Sequence, residues 1–240
     1  MDQGEKMNTA PNDARVVDGF KRQLQRRDEL IAAGSRPLGW KVGFGAPEAL
    51  TKLGISGPLV GFMLSGGLLK SGEAVSISDW TNPVAEPEIA IHMGADLPGG
   101  ADRAAAADAI AALGPAIELA DADSPPEDPE QIVAGNIYHR GVVLGAPDNS
   151  RAGARLDGLR GRVKRQGEEV AVVDELEANT GNLIDIVRHV ADSLSDAGET
   201  LRAGDVIIAG SVTPPIFLTA EDTDIAFDLE GIGEVSLKFG

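Results

Sequence analysis

Two carboxylates stand two residues apart in NPVAEPEIAIHM (82–93), at Glu86 and Glu88. The stretch reads as a β-strand, and residues i and i+2 of a strand point to the same face. Two such groups side by side without a cation repel, and one is driven to hold a proton. A divalent cation relieves this, and hard ions such as Mg²⁺ or Mn²⁺ take oxygen ligands. Pro87 has no N–H to give, which suits a strand start, an edge or a bulge. The apolar run Ile89-Ala90-Ile91 carries the strand into a core just past the charges. A pair of solvated glutamates at a strand end is the other reading of the same spacing.

Two more charges sit in apolar surroundings. Lys41 lies within GWKVGF (39–44), a short Gly-flanked strand. It is either a snorkelling side chain with its ammonium in water or a catalytic or substrate-binding lysine. Glu118 lies within AIELA (116–120), a buried strand, where a lone carboxylate is costly unless paired or bound to metal. Asp121 and Asp123 begin an acidic, proline-rich loop (121–130) that lacks the glycine and closing glutamate of a calcium loop. His189 lies beside the apolar face of a helix and reads as a packing residue.

The elements that must position these groups follow from periodicity. Val16, Val17, Phe20, Leu24 and Ile31 predict a helix over 12–34, with Lys21, Arg22, Arg26 and Arg27 on a solvated face. A short helix is expected over 46–54, with proline near its start and glycine past its end. The alanine-rich stretch 101–113 predicts a helix broken by Gly114-Pro115. Residues 131–136 predict a short helix or turn. A hairpin is expected over 159–173, turning at Gln166-Gly167; it is the most basic part of the chain. Leu183, Ile186, Val187, Val190 and Leu194 predict an amphipathic helix over 182–197. Residues 59–64 and 66–69 are expected to form a loop and a short strand, and strands are expected at 75–77, 142–144, 206–209, 225–229 and 235–239. Few helices scattered among many strands make an α+β fold.

The chain has 240 residues, enough for a sizeable core. With 42% hydrophobic residues but only 4% aromatic, that core must be built from Ala, Val, Ile and Leu. Thirty glycines and 14 prolines favour short strands and many turns. A formal charge of −17 argues against nucleic acid and anionic membranes as partners, and an anionic substrate needs local positive charge. Without cysteine there is no thiolate nucleophile and no cysteine-ligated zinc. The polar N-terminus lacks an apolar leader, and no apolar run is long enough to span a membrane. A cytoplasmic protein is expected, with residues 1–12 a flexible tail and 13–240 a single catalytic domain, its helical and strand part at about 13–80 and its core at about 81–240.

In order along the chain, GWKVGF (39–44), LGI (53–55), VAEPEIAIHM (84–93), PAIELAD (115–121), Asn136 with GVVLG (141–145), LRAGDVIIAGS (201–211) and GIGEVSLKFG (231–240) form a set. That set resembles the fumarylacetoacetate hydrolase superfamily, in its 2-keto-4-pentenoate hydratase and 4-oxalocrotonate decarboxylase branch. The resemblance implies a mixed β-roll, barrel-like core with peripheral helices, and a homo-oligomer. It implies that Glu86, Glu88 and Glu118 hold one Mg²⁺ or Mn²⁺, that Lys41 is the active-site lysine, and that Asn136 and Ser211 lie near the substrate. The G-Y-x-x-x-N-D segment of the hydrolase branches is absent, which disfavours C–C bond hydrolysis. Two departures stand out. The segment Phe62–Gly67 has no acidic residue where family hydratases carry one. The run Asn136-Ile137-Tyr138-His139-Arg140 replaces a run of small residues, so His139, with Tyr138 and Arg140, either replaces the missing base or narrows the pocket. The implied function is a metal-dependent lyase, a hydratase acting on a small 2-oxo (2-hydroxy-dienoic) acid. The alternatives are a decarboxylase of the 4-oxalocrotonate type and a catalytically silent homologue that binds 2-oxo acids or scaffolds a partner.

Overall fold

A computed structural model describes residues 13–240, and the tail expected at 1–12 lies outside them. Asp13 caps the first helix, α1 (Ala14–Ala32), its carboxylate accepting from the Arg15 N–H at 2.9 Å. Phe20 is buried, and Val16, Leu24 and Ile31 pack beside it. Gln23 is buried on the same face, and its Nε2 donates to the carbonyls of Val60 and Val133. The chain then runs through β1 (Pro37–Gly43), α2 (Pro47–Leu53), β2 (Leu59–Leu64), β3 (Leu68–Leu69) and β4 (Glu73–Val75). The strand expected at 75–77 therefore lies two residues earlier.

Next come β5 (Pro83–Met93), α3 (Arg103–Ala109) and β6 (Ile110–Asp121). The expected helix over 101–113 is corrected here. It starts at an Asp102 cap and ends at Ala109, and Ile110 begins a twelve-residue strand that runs through Gly114-Pro115. Alanine propensity is outweighed by tertiary demand, because β6 is the middle of a sheet and buried on both faces. After it come α4 (Pro129–Ala134), β7 (His139–Leu144), the hairpin β8 (Gly161–Arg165) and β9 (Glu168–Val173), and α5 (Leu183–Asp196). The hairpin turns at Gln166-Gly167, as the sequence predicts. All five expected apolar positions of α5 are buried. The chain closes with β10 (Val206–Ser211), β11 (Ile216–Phe217), β12 (Asp224–Leu229) and β13 (Gly233–Phe239).

The strands form two sheets. The larger has eight, in the order β2-β1-β10-β5-β6-β7-β3, with β11 paired to β5. The smaller has five, in the order β4-β13-β12-β8-β9. The large sheet is mixed, since β1 runs parallel to β10 and β3 parallel to β7 while its other pairs are antiparallel. Gly39 is required where β1 meets β10: its φ is +139°, and a Cβ there would lie 2.0 Å from the Val206 carbonyl oxygen. The helices lie outside the sheets, giving the α+β class and curled sheet expected from the sequence. No helix among the described residues is long and apolar enough to cross a membrane.

The basic hairpin is not simply a solvated face. Arg162 reaches Glu169 and Glu230, and Lys164 reaches Glu234. Arg165 forks onto Asp222, with Nη2 to Oδ2 at 2.6 Å. Asp222 also accepts from the N–H and hydroxyl of Thr219, and it is buried. The guanidinium hydrogen bonds hold its carboxyl down to about 2, against the opposing effect of burial. A lowered carboxylate pKa stabilises the fold fully above the ordinary value of 3.8 and less as pH falls toward 2. Asp222→Asn is expected to lose about 1–3 kcal/mol at pH 7 and to flatten the acid limb of stability between pH 4 and 2. Urea unfolding of both proteins across that range measures it.

Candidate active site

Glu86 and Glu88 sit on β5, and Glu118 lies directly across from Glu86 on β6. Like charges facing one another across a ladder are destabilising. One carboxylate oxygen from each of the three lies within 4.8 Å of the others. Glu88 and Glu118 are fully buried, and Glu86 keeps part of its surface at the mouth of the cluster. The solvated-pair reading of the sequence is thus overturned for Glu88.

Pro87 explains part of the local geometry. It stands mid-strand in β5, and the neighbouring β10 bulges between Ile208 and Ser211. Gly210, at φ +92°, turns its N–H onto Glu88 Oε2 at 2.6 Å. Ser211 then sits opposite Glu88 in register.

Lys41 is 1% exposed, so the snorkelling alternative is excluded. Its Nζ donates to Glu118 Oε1 at 2.5 Å and to the Ile137 carbonyl at 3.0 Å. Gly61 makes room for the stem, since a Cβ there would meet Lys41 Cγ at 2.8 Å. His139 Nδ1 lies 2.7 Å from the same Glu118 oxygen. Burial opposes ionisation of Glu118, but Lys41 and then His139 outweigh it and hold its pKa below the ordinary value. The other two carboxyls go the opposite way. Burial, then the charge of Glu118, pushes Glu86 up to about 7 against the pull of Lys41. Burial, then Glu118 and Glu86, raises Glu88 well above the usual range against Lys41 and the Gly210 N–H.

The loop after α4 supplies the rest. Asn136, Ile137 and Tyr138 all adopt left-handed backbone, at φ 60°, 51° and 62°. This is costly for a β-branched residue such as Ile137 and is a strain found at functional sites. It turns the Ile137 carbonyl to Lys41 and brings His139 onto Glu118. Asn136 holds the turn in place: Oδ1 accepts from Phe62 N–H at 2.8 Å and Nδ2 donates to Phe62 O at 3.0 Å. The side chain expected beside a substrate is therefore committed to backbone. Tyr138 donates to the Ser124 carbonyl, and Arg140 bridges Asp121 and Asp123. Across from His139, Gly66-Gly67 leaves the wall without a side chain, and His139 Nε2 lies 3.5 Å from where a Gly67 Cβ would be.

Seven buried side-chain atoms lack a hydrogen-bond partner among the described residues, and four belong here: Glu88 Oε1, Glu118 Oε2, His139 Nε2 and Ser211 Oγ. Unpaired buried oxygens beside clustered carboxylates fit a hard divalent cation, which takes oxygen ligands and offsets their charge. Sequence reasoning missed the Gly210 N–H, the Ile137 carbonyl and the left-handed turn. Only Gly210 had a visible signal, a glycine ending an apolar strand.

A family model described as the fumarylacetoacetate (FAA) hydrolase C-terminal domain matches residues 47–239. A 4-oxalocrotonate decarboxylase of Pseudomonas sp is 27% identical over 216 residues, covering 87% of this chain and 80% of that protein. The 2-keto-4-pentenoate hydratase 2 of Dechloromonas aromatica is 28% identical over 215 residues, with the same coverage of 87% and 80%. The solved 4-oxalocrotonate decarboxylase from Pseudomonas putida G7, complexed with magnesium and adipate, superposes with a TM-score of 0.85 at 25% identity, over 94% of this chain and 86% of that one.

Removing one partner of a buried ion pair leaves the other uncompensated. Lys41→Met is expected to cost about 3–5 kcal/mol in urea unfolding of the metal-free protein. The double variant Lys41→Met/Glu118→Leu is expected to recover most of that loss.

Proposed function

Because this chain belongs to the fumarylacetoacetate hydrolase family, we propose that it is a metal-dependent lyase of small 2-oxo acids, of the 2-keto-4-pentenoate hydratase type. The observation that carries the reading is the buried triad Glu86, Glu88 and Glu118 with Lys41 locked against it. In this reading the three carboxylates hold a divalent cation, Mg²⁺ or Mn²⁺. Bound there, the cation would act as a Lewis acid toward the carboxylate and 2-oxo oxygens of the substrate.

The chain's own residues carry the proton chemistry. Lys41 Nζ has three donor hydrogens when charged, and Glu118 and Ile137 take two. The third is free to hold the substrate or deliver a proton. His139 is oriented by Glu118 through Nδ1, which leaves Nε2 to give or take a proton. Hydration of a dienoic acid needs ketonisation, water addition at the far carbon and reprotonation, and these two groups are the acid and base within reach. Ser211 offers an unspent hydroxyl opposite Glu88. Asn136 acts here by positioning the loop. Burial of Lys41, Glu88 and Glu118 keeps bulk water from the reacting end.

A decarboxylase on the same site is the second reading, favoured by the closeness of the solved decarboxylase in fold. The two separate in one assay. Ultraviolet absorbance of 2-hydroxypenta-2,4-dienoate is expected to decay with Mg²⁺ or Mn²⁺ and to stop with chelator. Metal-dependent decay of 4-oxalocrotonate with CO₂ release would assign the decarboxylase instead, and no decay of either would leave a silent homologue. Lys41→Arg is expected to lower kcat by about a hundredfold or more.

The ligand assignment has its own test. Glu88→Gln is expected to raise the melting temperature of chelator-treated protein, by removing a carboxyl whose ionisation burial and its neighbours oppose, and to reduce the rise that Mg²⁺ gives the parent chain. Scanning calorimetry with and without metal reads both signs.

A further inference from the structure

β10 reaches the carboxylate centre with no strand beside it on one edge. Its register with β1 runs from Val206 to Ile208, opposite Gly39 to Lys41, and goes no further. The chain continues through Gly210, Ser211, Val212 and Thr213, and the last three are buried. Buried carbonyls need donors. On the β5 side the segment is fixed by the Gly210 N–H on Glu88 and by the Val212 N–H, which donates to the Pro87 carbonyl at 2.8 Å. On the other side a single side chain takes the place of the missing strand. Asn179 Nδ2 donates to the Ser211 carbonyl at 2.7 Å and to the Thr213 carbonyl at 3.2 Å. Both hydrogens of its amide are thereby used.

Asn179 is itself held in place. It lies in the turn 174–182 between β9 and α5, where Ala178 N–H donates to the Glu175 carbonyl and Gly181 N–H to the Glu177 carbonyl. Glu177 Oε1 accepts from Leu183 N–H at 2.8 Å and from Asn182 Nδ2 at 3.0 Å, which ties the turn to the start of α5. Thr180 follows, with its methyl 3.0 Å from where a Gly210 Cβ would be and its carbonyl 3.6 Å from where a Gly45 Cβ would be. The turn therefore closes over the ends of β10 and β1 together, the strands that carry Ser211 and Lys41.

The consequence falls on Glu88. Its Oε2 takes the Gly210 N–H, and Ser211 stands opposite it, only because the backbone leaves regular strand geometry between Ile208 and Ser211. Bulges of this kind re-aim groups beside functional sites. Groups one step removed from a metal ligand fix that ligand's orientation.

We propose that Asn179 is a positioning residue for the metal centre: it holds the segment 210–213 so that Gly210 keeps its N–H on Glu88 and Ser211 keeps its place opposite. The proposal rests on the reading of Glu86, Glu88 and Glu118 as cation ligands, and it adds a residue that acts on the ion only through Glu88.

The test titrates Mn²⁺ into the full chain by calorimetry and follows backbone hydrogen exchange in the metal-free protein. Asn179→Ala and the shape-matched Asn179→Leu are each expected to weaken Mn²⁺ binding about tenfold. Exchange at Gly210 and Val212 is expected to quicken in both, with the amides of α5 unchanged. Asp222→Asn, which loosens the fold without touching this segment, is expected to keep the parent's Mn²⁺ affinity. If both Asn179 variants bind Mn²⁺ as tightly as the parent, or exchange no faster at Gly210, the positioning role is overturned and the metal reading stands. An equal loss of affinity in Asp222→Asn also overturns the role, since the effect is then one of general stability. A parent chain that binds no Mn²⁺ overturns the metal reading and the role with it.

Discussion

The contact between Lys41 and Glu118 sets the terms for the rest of the centre. A lysine at 1% exposure and a carboxylate at 0% are each untenable alone, and each is the other's remedy. Once they are paired, Glu118 is ionised, and its charge bears on Glu86 and Glu88 next to it. Those two are pushed toward holding protons for the same reason that Glu118 is not. The cluster thus holds more carboxyls than its own lysine lets ionise.

Around that pair the backbone departs from regular geometry in two places, and both departures aim a polar group. The bulge at Gly210 gives Glu88 an N–H, and the left-handed run at 136–138 gives Lys41 a carbonyl. Asn136 ties the second to β2 through both ends of its amide. Strain of this kind persists only when surrounding contacts over-determine it. Here the contacts come from the turn's own bonds to Ile132 and Val133 and from Phe62.

Much of this was legible in the chain. Alternation placed Glu86 and Glu88 on one face, and the oddity of charge in apolar strands singled out Lys41 and Glu118. Amphipathic spacing located α5, and turn chemistry located the hairpin. What failed did so for physical reasons. The alanines of 101–113 favour helix locally, but the middle of an eight-stranded sheet needs Ile110–Asp121 extended. Lys41 could not be assigned from its own segment, because its partners lie 77 and 96 residues away in sequence. Asn136 favours left-handed backbone by itself, but Ile137 and Tyr138 do not, and their positive φ values are held by the bonds around the turn.

The neighbour of β1 on its inner side is β10, more than 160 residues later in the chain, and β10 is what joins β1 to β5. Lys41 and the glutamates of β5 therefore sit in one continuous sheet only after the strand at 206–211 has slotted between them. Pairings of such long sequence separation form slowly, since the loop they close must be ordered first. During synthesis, the segment holding Lys41 and the one holding Glu86, Glu88 and Glu118 emerge with no shared sheet to bring them together. The centre is consequently a late product of folding. Its charges stay hydrated until the last strand arrives, and their desolvation is met only when every compensating group is already at hand.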